Sequence, residues 1–210
     1  MSLLVRPLLL LIMITACVAS GRGQQRGAAQ SPQPRISTPP GAAQSRGARN
    51  EFSSRRGRFA ILFPGTPAEE DSSFELLGQR LESLQYTFVE KSANYFVAYN
   101  DFPYDVEEEA ETRNRVMNRM RDAAVSSHAN GRVLSESEVS LGRHPGRAVK
   151  VSIAGGIIRV RMYAVRRRLY QVAVTTLAER SDSDAGRSAE ARAMKFLNSF
   201  RLIEPEAGVR

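Results

Sequence analysis

The chain has 210 residues, a formal net charge of +8, two histidines, one cysteine and no tryptophan. One cysteine excludes an intramolecular disulfide, so the fold must stand on its apolar core. Once a low-complexity segment is subtracted, about 150 residues remain, which suffices for one such core and argues against several domains.

The chain opens with Arg6, then an apolar segment from Leu8 to Ile14, then Ile14-Thr15-Ala16-Cys17. This charged, apolar, small order is that of an export signal. The run from Leu8 to Ala19 is broken by Thr15 and is shorter than the roughly 17 to 25 apolar residues of a membrane span. The Ile-Thr-Ala-Cys sequence resembles the lipobox of bacterial lipoproteins, which implies removal of residues 1–16 and a diacylglyceryl group on Cys17. The competing reading is plain secretion to the periplasm or medium, with Cys17 and Ala19 as the small residues read by the peptidase. Lipidation explains a lone cysteine in an exported chain, and Val18 in place of aspartate favours the outer membrane.

Residues 17–50 are dominated by Gly, Ala, Gln, Ser, Pro and Arg, with Ile36 the one large apolar residue beyond Val18. Such a segment cannot bury enough surface to offset chain entropy and is expected to be a disordered tether. Its charges are Arg22, Arg26, Arg35, Arg46 and Arg49, spread out rather than clustered. Lys91, Lys150 and Lys195 are the only lysines, so almost all positive charge is arginine. In the cytoplasm this would suggest nucleic acid. At the envelope it suggests anionic headgroups, phosphorylated glycans or an acidic protein, with no nucleic acid.

Residues 51–204 form the expected domain, with 205–210 as a tail. Phe59 to Phe63 reads as a strand closed by the turn Pro64-Gly65-Thr66-Pro67. Leu84, Tyr86 and Phe88 alternate with polar residues and, with Tyr95 to Tyr99, predict a hairpin. Asp105 and Glu108 have the spacing of a capping box, and Ala110, Met117, Met120 and Ala124 then recur at helical spacing toward Gly131.

Three further strands can be registered from pattern alone. Gly155-Gly156 is a hairpin signal. Centring the turn there sets Ile153 opposite Ile158, Val151 opposite Val160 and Val149 opposite Met162, and brings Lys150 to Arg161 and Ser152 to Arg159. A turn through Arg143-His144-Pro145-Gly146 sets Val139 opposite Val149, Glu138 against Lys150 and Glu136 near Arg159. The last strand, Leu169 to Leu177, pairs Tyr170 with Ala164 and Val172 with Met162 across an Arg166-Arg167-Arg168 loop. A final helix from about Ser183 to Phe200 has the stripe Ala189, Ala193, Phe196, Leu197 and Phe200. Tyr163, Val165 and Leu169 supply apolar surface on the second face of the sheet. The expected class is α+β: an antiparallel sheet of about six to seven strands with helices on both faces.

Phe63-Pro64-Gly65-Thr66-Pro67, Tyr99-Asn100-Asp101, Arg168-Leu169-Tyr170 and Phe196-Leu197-Asn198-Ser199-Phe200 together resemble the PsbP-like domains, named for an extrinsic subunit of the photosynthetic oxygen-evolving complex. The likeness runs from about Phe59 to Leu202. It implies an α/β/α sandwich that acts as a non-enzymatic binding or assembly module, without a cofactor.

Catalytic signals are few. His128 and His144 lack zinc-ligand spacing, no Gly-x-Ser-x-Gly elbow is present, and Gly21-Arg22-Gly23 has no strand before it. Asp101, Asp105, Glu107, Glu108, Glu109 and Glu111 are a dense acidic cluster. They suit a helix start through the amide dipoles there, or else a metal site for a hydrolase. The candidate contacts for an anion or partner are Arg166, Arg167 and Arg168, with Arg159 and Arg161 on the sheet and Arg55, Arg56 and Arg58 as further possibilities. The functional expectation is a lipid-anchored, non-enzymatic envelope module binding a protein or anionic ligand. The alternatives are a metal-assisted hydrolase and a structural envelope component.

Overall fold

The computed structural model describes residues 51–177 and 183–203. The signal segment, Cys17, the tether and the tail lie outside the described residues. Strands β1 (Glu51–Ser54), β2 (Phe59–Leu62) and β10 (Arg201–Leu202) form a small antiparallel sheet in the order β1-β2-β10. The β1–β2 turn is closed by Ser54 Oγ, which accepts from Gly57 N at 2.9 Å. An added Cβ on Gly57 would meet the Phe59 ring at 2.5 Å, so this turn requires glycine.

The larger sheet contains β3 (Ala68–Leu76), β4 (Gln79–Val89), β5 (Ala93–Asp101), β6 (Arg132–Leu141), β7 (His144–Ile153), β8 (Gly156–Val165) and β9 (Arg168–Leu177). All pairs are antiparallel, in the order β3-β4-β5-β9-β8-β7-β6. Two meanders are thus joined where β5 meets β9, and helix α1 (Ala110–Ser126) connects them in sequence. The β4–β5 hairpin stands where the alternation predicts it, and β3 is an addition. Glu69, Glu70, Asp71 and Glu75 fill this edge strand and leave little apolar alternation to read.

Three registers differ from expectation, each for a local reason. The β7–β8 turn is Ala154-Gly155, so Val151 faces Ile158, Val149 faces Val160 and Lys150 faces Arg159. Gly156 is instead the first residue of β8, where a Cβ would come within 2.6 Å of Thr176 O. This slip of two residues preserves the faces. The β6–β7 turn is Gly142-Arg143, with Gly142 at φ 61°, so Val139 faces Gly146 and Glu138 faces Arg147. Pro145 and Gly146 lie inside β7, where Gly146 passes close to Met162 O. The odd slip moves Glu136 away from Arg159, and it bridges Arg121 and Arg147 instead. The β8–β9 turn uses only Arg166-Arg167, so Tyr170 faces Tyr163 and Val172 faces Arg161.

Helix α1 begins later than the capping pattern suggests. Asp105 Oδ1 accepts from the backbone of Glu107 at 2.8 Å and Glu108 at 3.1 Å, which closes a bend before the helix. Glu109 is the N-cap and Glu111 the acidic residue of the first turn. The buried stripe is Val116, Met117, Met120 and Ala124, while Ala110 is exposed. Helix α2 (Asp184–Ser199) starts at Ser183, whose Oγ accepts from Gly186 N at 3.0 Å.

The apolar residues divide into two clusters. One holds α1's Val116, Met117 and Met120 with Val149, Val151, Ile158, Val160 and Met162. The other joins the small sheet, β4, β5 and β9 to α2 through Phe59, Phe63, Tyr95, Val172, Phe196 and Phe200. Some of its rings meet edge-on, as with Phe63–Phe196 at 5.0 Å and Tyr95–Phe196 at 5.1 Å, while Tyr163 and Phe200 stack at 5.9 Å. Tyr163 belongs to this second cluster as expected, whereas Leu169 belongs to the α1 cluster, a consequence of the one-residue slip at the β8–β9 turn.

Candidate functional site

Three turns converge at one end of the molecule: β1–β2, β6–β7 and β8–β9. Between them lies an open groove of about 730 Å³. Its lining includes five arginines, Arg58, Arg143, Arg166, Arg167 and Arg168, against a single aspartate, Asp101. Val165, Tyr170, Phe102 and Leu202 supply its apolar part.

The arginines differ in how they are held. Arg168 donates from Nε and Nη2 to the two oxygens of Asp101 at 2.5 and 2.6 Å, and from Nη1 to Arg56 O at 3.0 Å. Its guanidinium lies 4.2 Å from the centroid of Tyr99. Burial is the largest single influence and works against its charge, but the hydrogen bonds and charge interactions with Asp101 and Tyr170 together outweigh it and raise its pKa. Beneath it, burial pushes the Tyr99 phenol up to about 12 and also raises Tyr170. Tyr170 OH donates to Gly57 O at 2.8 Å, whereas the buried Tyr99 OH has no partner among the described residues.

Arg167 donates to the carbonyls of Phe102 and Pro103, at 3.1 and 2.8 Å. The backbone of the same turn fastens the loop that follows β5. Phe102 N donates to Arg167 O at 2.7 Å and Val106 N to Arg166 O at 2.8 Å. Glu107 accepts from Arg166 N at 2.6 Å and from His144 Nδ1 at 2.7 Å. Asp101, Asp105 and Glu107 of the acidic cluster are therefore engaged by an arginine, a bend and a turn. Among the described residues no group of three or more His, Cys, Asp and Glu is arranged to hold a metal.

Arg58, Arg143 and Arg166 are exposed, and among the described residues their guanidinia make no hydrogen bond or ion pair. Arg159 and Arg161 lie elsewhere, under α2. Arg159 pairs with Glu190 and donates to Thr176 Oγ1 at 3.2 Å. Burial lowers its pKa, although a guanidinium keeps its charge at any ordinary pH. Arg161 donates to Leu197 O at 3.2 Å and Asn198 Oδ1 at 2.7 Å. Of the arginines singled out from sequence, Arg166 keeps a free side chain at the groove with Arg58, while Arg167, Arg168, Arg159 and Arg161 are tied into the fold. Arg143 was not among them. Its only signal is its place in a turn beside Gly142, and topology alone brings that turn to the other two.

Neither a protein-family model nor a curated protein matches the sequence. Among solved structures, the chain is similar to the solution structure of cyanobacterial PsbP (CyanoP) from Synechocystis sp. PCC 6803. The TM-score is 0.51 at 13% identity, covering 77% of this chain and 99% of that one. The fold is PsbP-like. A protein of unknown function from Pseudomonas aeruginosa aligns with a TM-score of 0.37 at 11% identity, over 66% of this chain and 99% of that one. In this fold the groove lies where the ends of β5, β8 and β9 meet the small sheet, so both sheets supply its walls.

Proposed function

We propose that the chain is a non-enzymatic binding or assembly module of the cell envelope, an α/β/α sandwich that docks onto an acidic protein or anionic ligand through its arginine groove. The observation that carries this reading is the convergence of three exposed, unpaired guanidinia, Arg58, Arg143 and Arg166, on one groove with an apolar lining. Arginine forks suit carboxylate and phosphate acceptors, and charge left uncompensated at one concave end favours encounter with an anion.

A lipid on Cys17, with the outer membrane favoured, would hold the module at a membrane surface, and residues 18–50 would set its reach. Among the described residues no helix is long and apolar enough to cross a membrane. Mass spectrometry of the mature amino terminus tests the anchor. An acylated Cys17 supports it, and an unmodified amino terminus further along removes it.

The docking reading is tested by elution from an anionic matrix. Replacing Arg58, Arg143 and Arg166 by glutamine removes the same charge as replacing Arg55, Arg119 and Arg132, which are also exposed. The groove variant should elute at clearly lower salt than the control variant. Equal elution would show that only total charge matters and that the groove is no site.

A further inference from the structure

The groove's donors and walls narrow the chemistry of its ligand. A carboxylate presents two oxygens in one plane and is satisfied by a single guanidinium fork, as Asp101 is by Arg168. Three guanidinia arriving from three separate turns call for an acceptor with more oxygens and more charge. A phosphate monoester offers three acceptor oxygens and about −1.5 to −2 charges near neutral pH. The volume of about 730 Å³ exceeds what a bare phosphate fills and falls within the roughly 300–1,000 Å³ of small-molecule sites. Val165 and Leu202 are half-buried there and keep apolar surface toward the groove.

The neighbouring loop argues against a flat anionic bilayer as the occupant. Glu108 and Glu109 are exposed on the segment that packs against the Arg166-Arg167 turn. Such carboxylates repel an extended anionic surface and leave room for a discrete head group. The backbone adds an independent sign. Arg58 and Arg166 adopt φ 52° and 53°, a left-handed conformation that glycine or asparagine holds at lower cost, so the turns themselves do not call for arginine.

We infer that the groove binds a phosphate monoester carried on an apolar body, its head held by Arg58, Arg143 and Arg166 and its body lying along Val165 and Leu202. The inference rests on the groove being the docking site. The shared chemistry could come from a phosphorylated lipid or from a soluble phosphate ester, and the experiment has an arm for each.

Calorimetric titration of the full chain would compare hexyl phosphate, inorganic phosphate and hexanoate. Hexyl phosphate should bind at least about tenfold more tightly than either. A double variant, Arg58→Gly with Arg166→Gly, should lose about tenfold in affinity while its thermal midpoint holds or rises, because glycine suits both turns. Vesicles of phosphatidylcholine doped with phosphatidic acid test the lipid source. Binding that competes with hexyl phosphate assigns it, and binding of hexyl phosphate alone assigns a soluble ester. Equal affinity for hexyl phosphate and either control, or undiminished binding by the double variant, overturns the inference. If phosphatidylglycerol vesicles bind through the same arginines while hexyl phosphate does not, the inference fails and the docking groove stands.

Discussion

The arginines under α2 and the arginines at the turn end illustrate two uses of one side chain. Arg159 and Arg161 project from β8 beneath a helix, and their guanidinia are bound by groups of the protein: Glu190, Thr176, Leu197 O and Asn198. Arg58, Arg143 and Arg166 sit on turns where the chain reverses, and among the described residues their guanidinia form no ion pair. Arg168 stands between these cases. It lines the groove, yet its fork is filled by Asp101 and its plane lies over Tyr99. What separates fold-building from ligand-ready arginine here is whether another element covers it.

The contrast can be strained first by pH. Burial pushes the phenols of Tyr95 and Tyr99 from the ordinary 10.0 up to about 12. The native state therefore holds protons that the unfolded chain releases, so stability is full below about pH 10 and falls as pH rises toward 12. At about 1.4 kcal/mol per unit, two tyrosines shifted this far predict a loss of roughly 5 kcal/mol, read as a falling denaturation midpoint across that range. Arg168 rests on Tyr99, so the groove should lose its shape in the same window.

Single substitutions come next in size. Arg168→Ala should destabilise by about 2–3 kcal/mol, because it strips a filled fork and a ring contact from a mostly buried site. Arg159→Ala should cost about 1–2 kcal/mol, less because among the described residues Arg159 has no aromatic ring beneath it and loses only its fork to Glu190 and its bond to Thr176. Urea unfolding checks both. The smallest effect has the opposite sign. Arg166→Gly should raise stability by up to about 1 kcal/mol through relief of its left-handed backbone, and a drop in the urea midpoint would mean that the side chain supports the fold after all.

Much of this fold is legible in the sequence where the signal is local. The β4–β5 hairpin, three of the four buried stripe residues of α1 and the approximate span of α2 follow from alternation and helical spacing. Two of the three registers differ because a glycine has a second use, and the third because the β8–β9 turn takes two arginines rather than three. Gly156 and Gly146 let another strand pass close, so reading them as turn residues displaced the pairing. The acidic β3 leaves only Phe74 and Leu76 as apolar alternation. The groove was half legible. Arg166 and Arg58 stand out as turn arginines, but the capture of Arg168 by Asp101 and the approach of Arg143 depend on strands distant in sequence.

The most direct test of the central claim is a backbone nuclear magnetic resonance titration of the full chain with pyrophosphate, which carries no apolar body and so probes the arginines alone. The account predicts saturable shifts centred on Gly57, Arg58, Arg143, His144, Arg166 and Arg167, with Arg159 and Arg161 silent. Shifts centred on Arg159 and Arg161, or spread evenly over every exposed arginine, would contradict it.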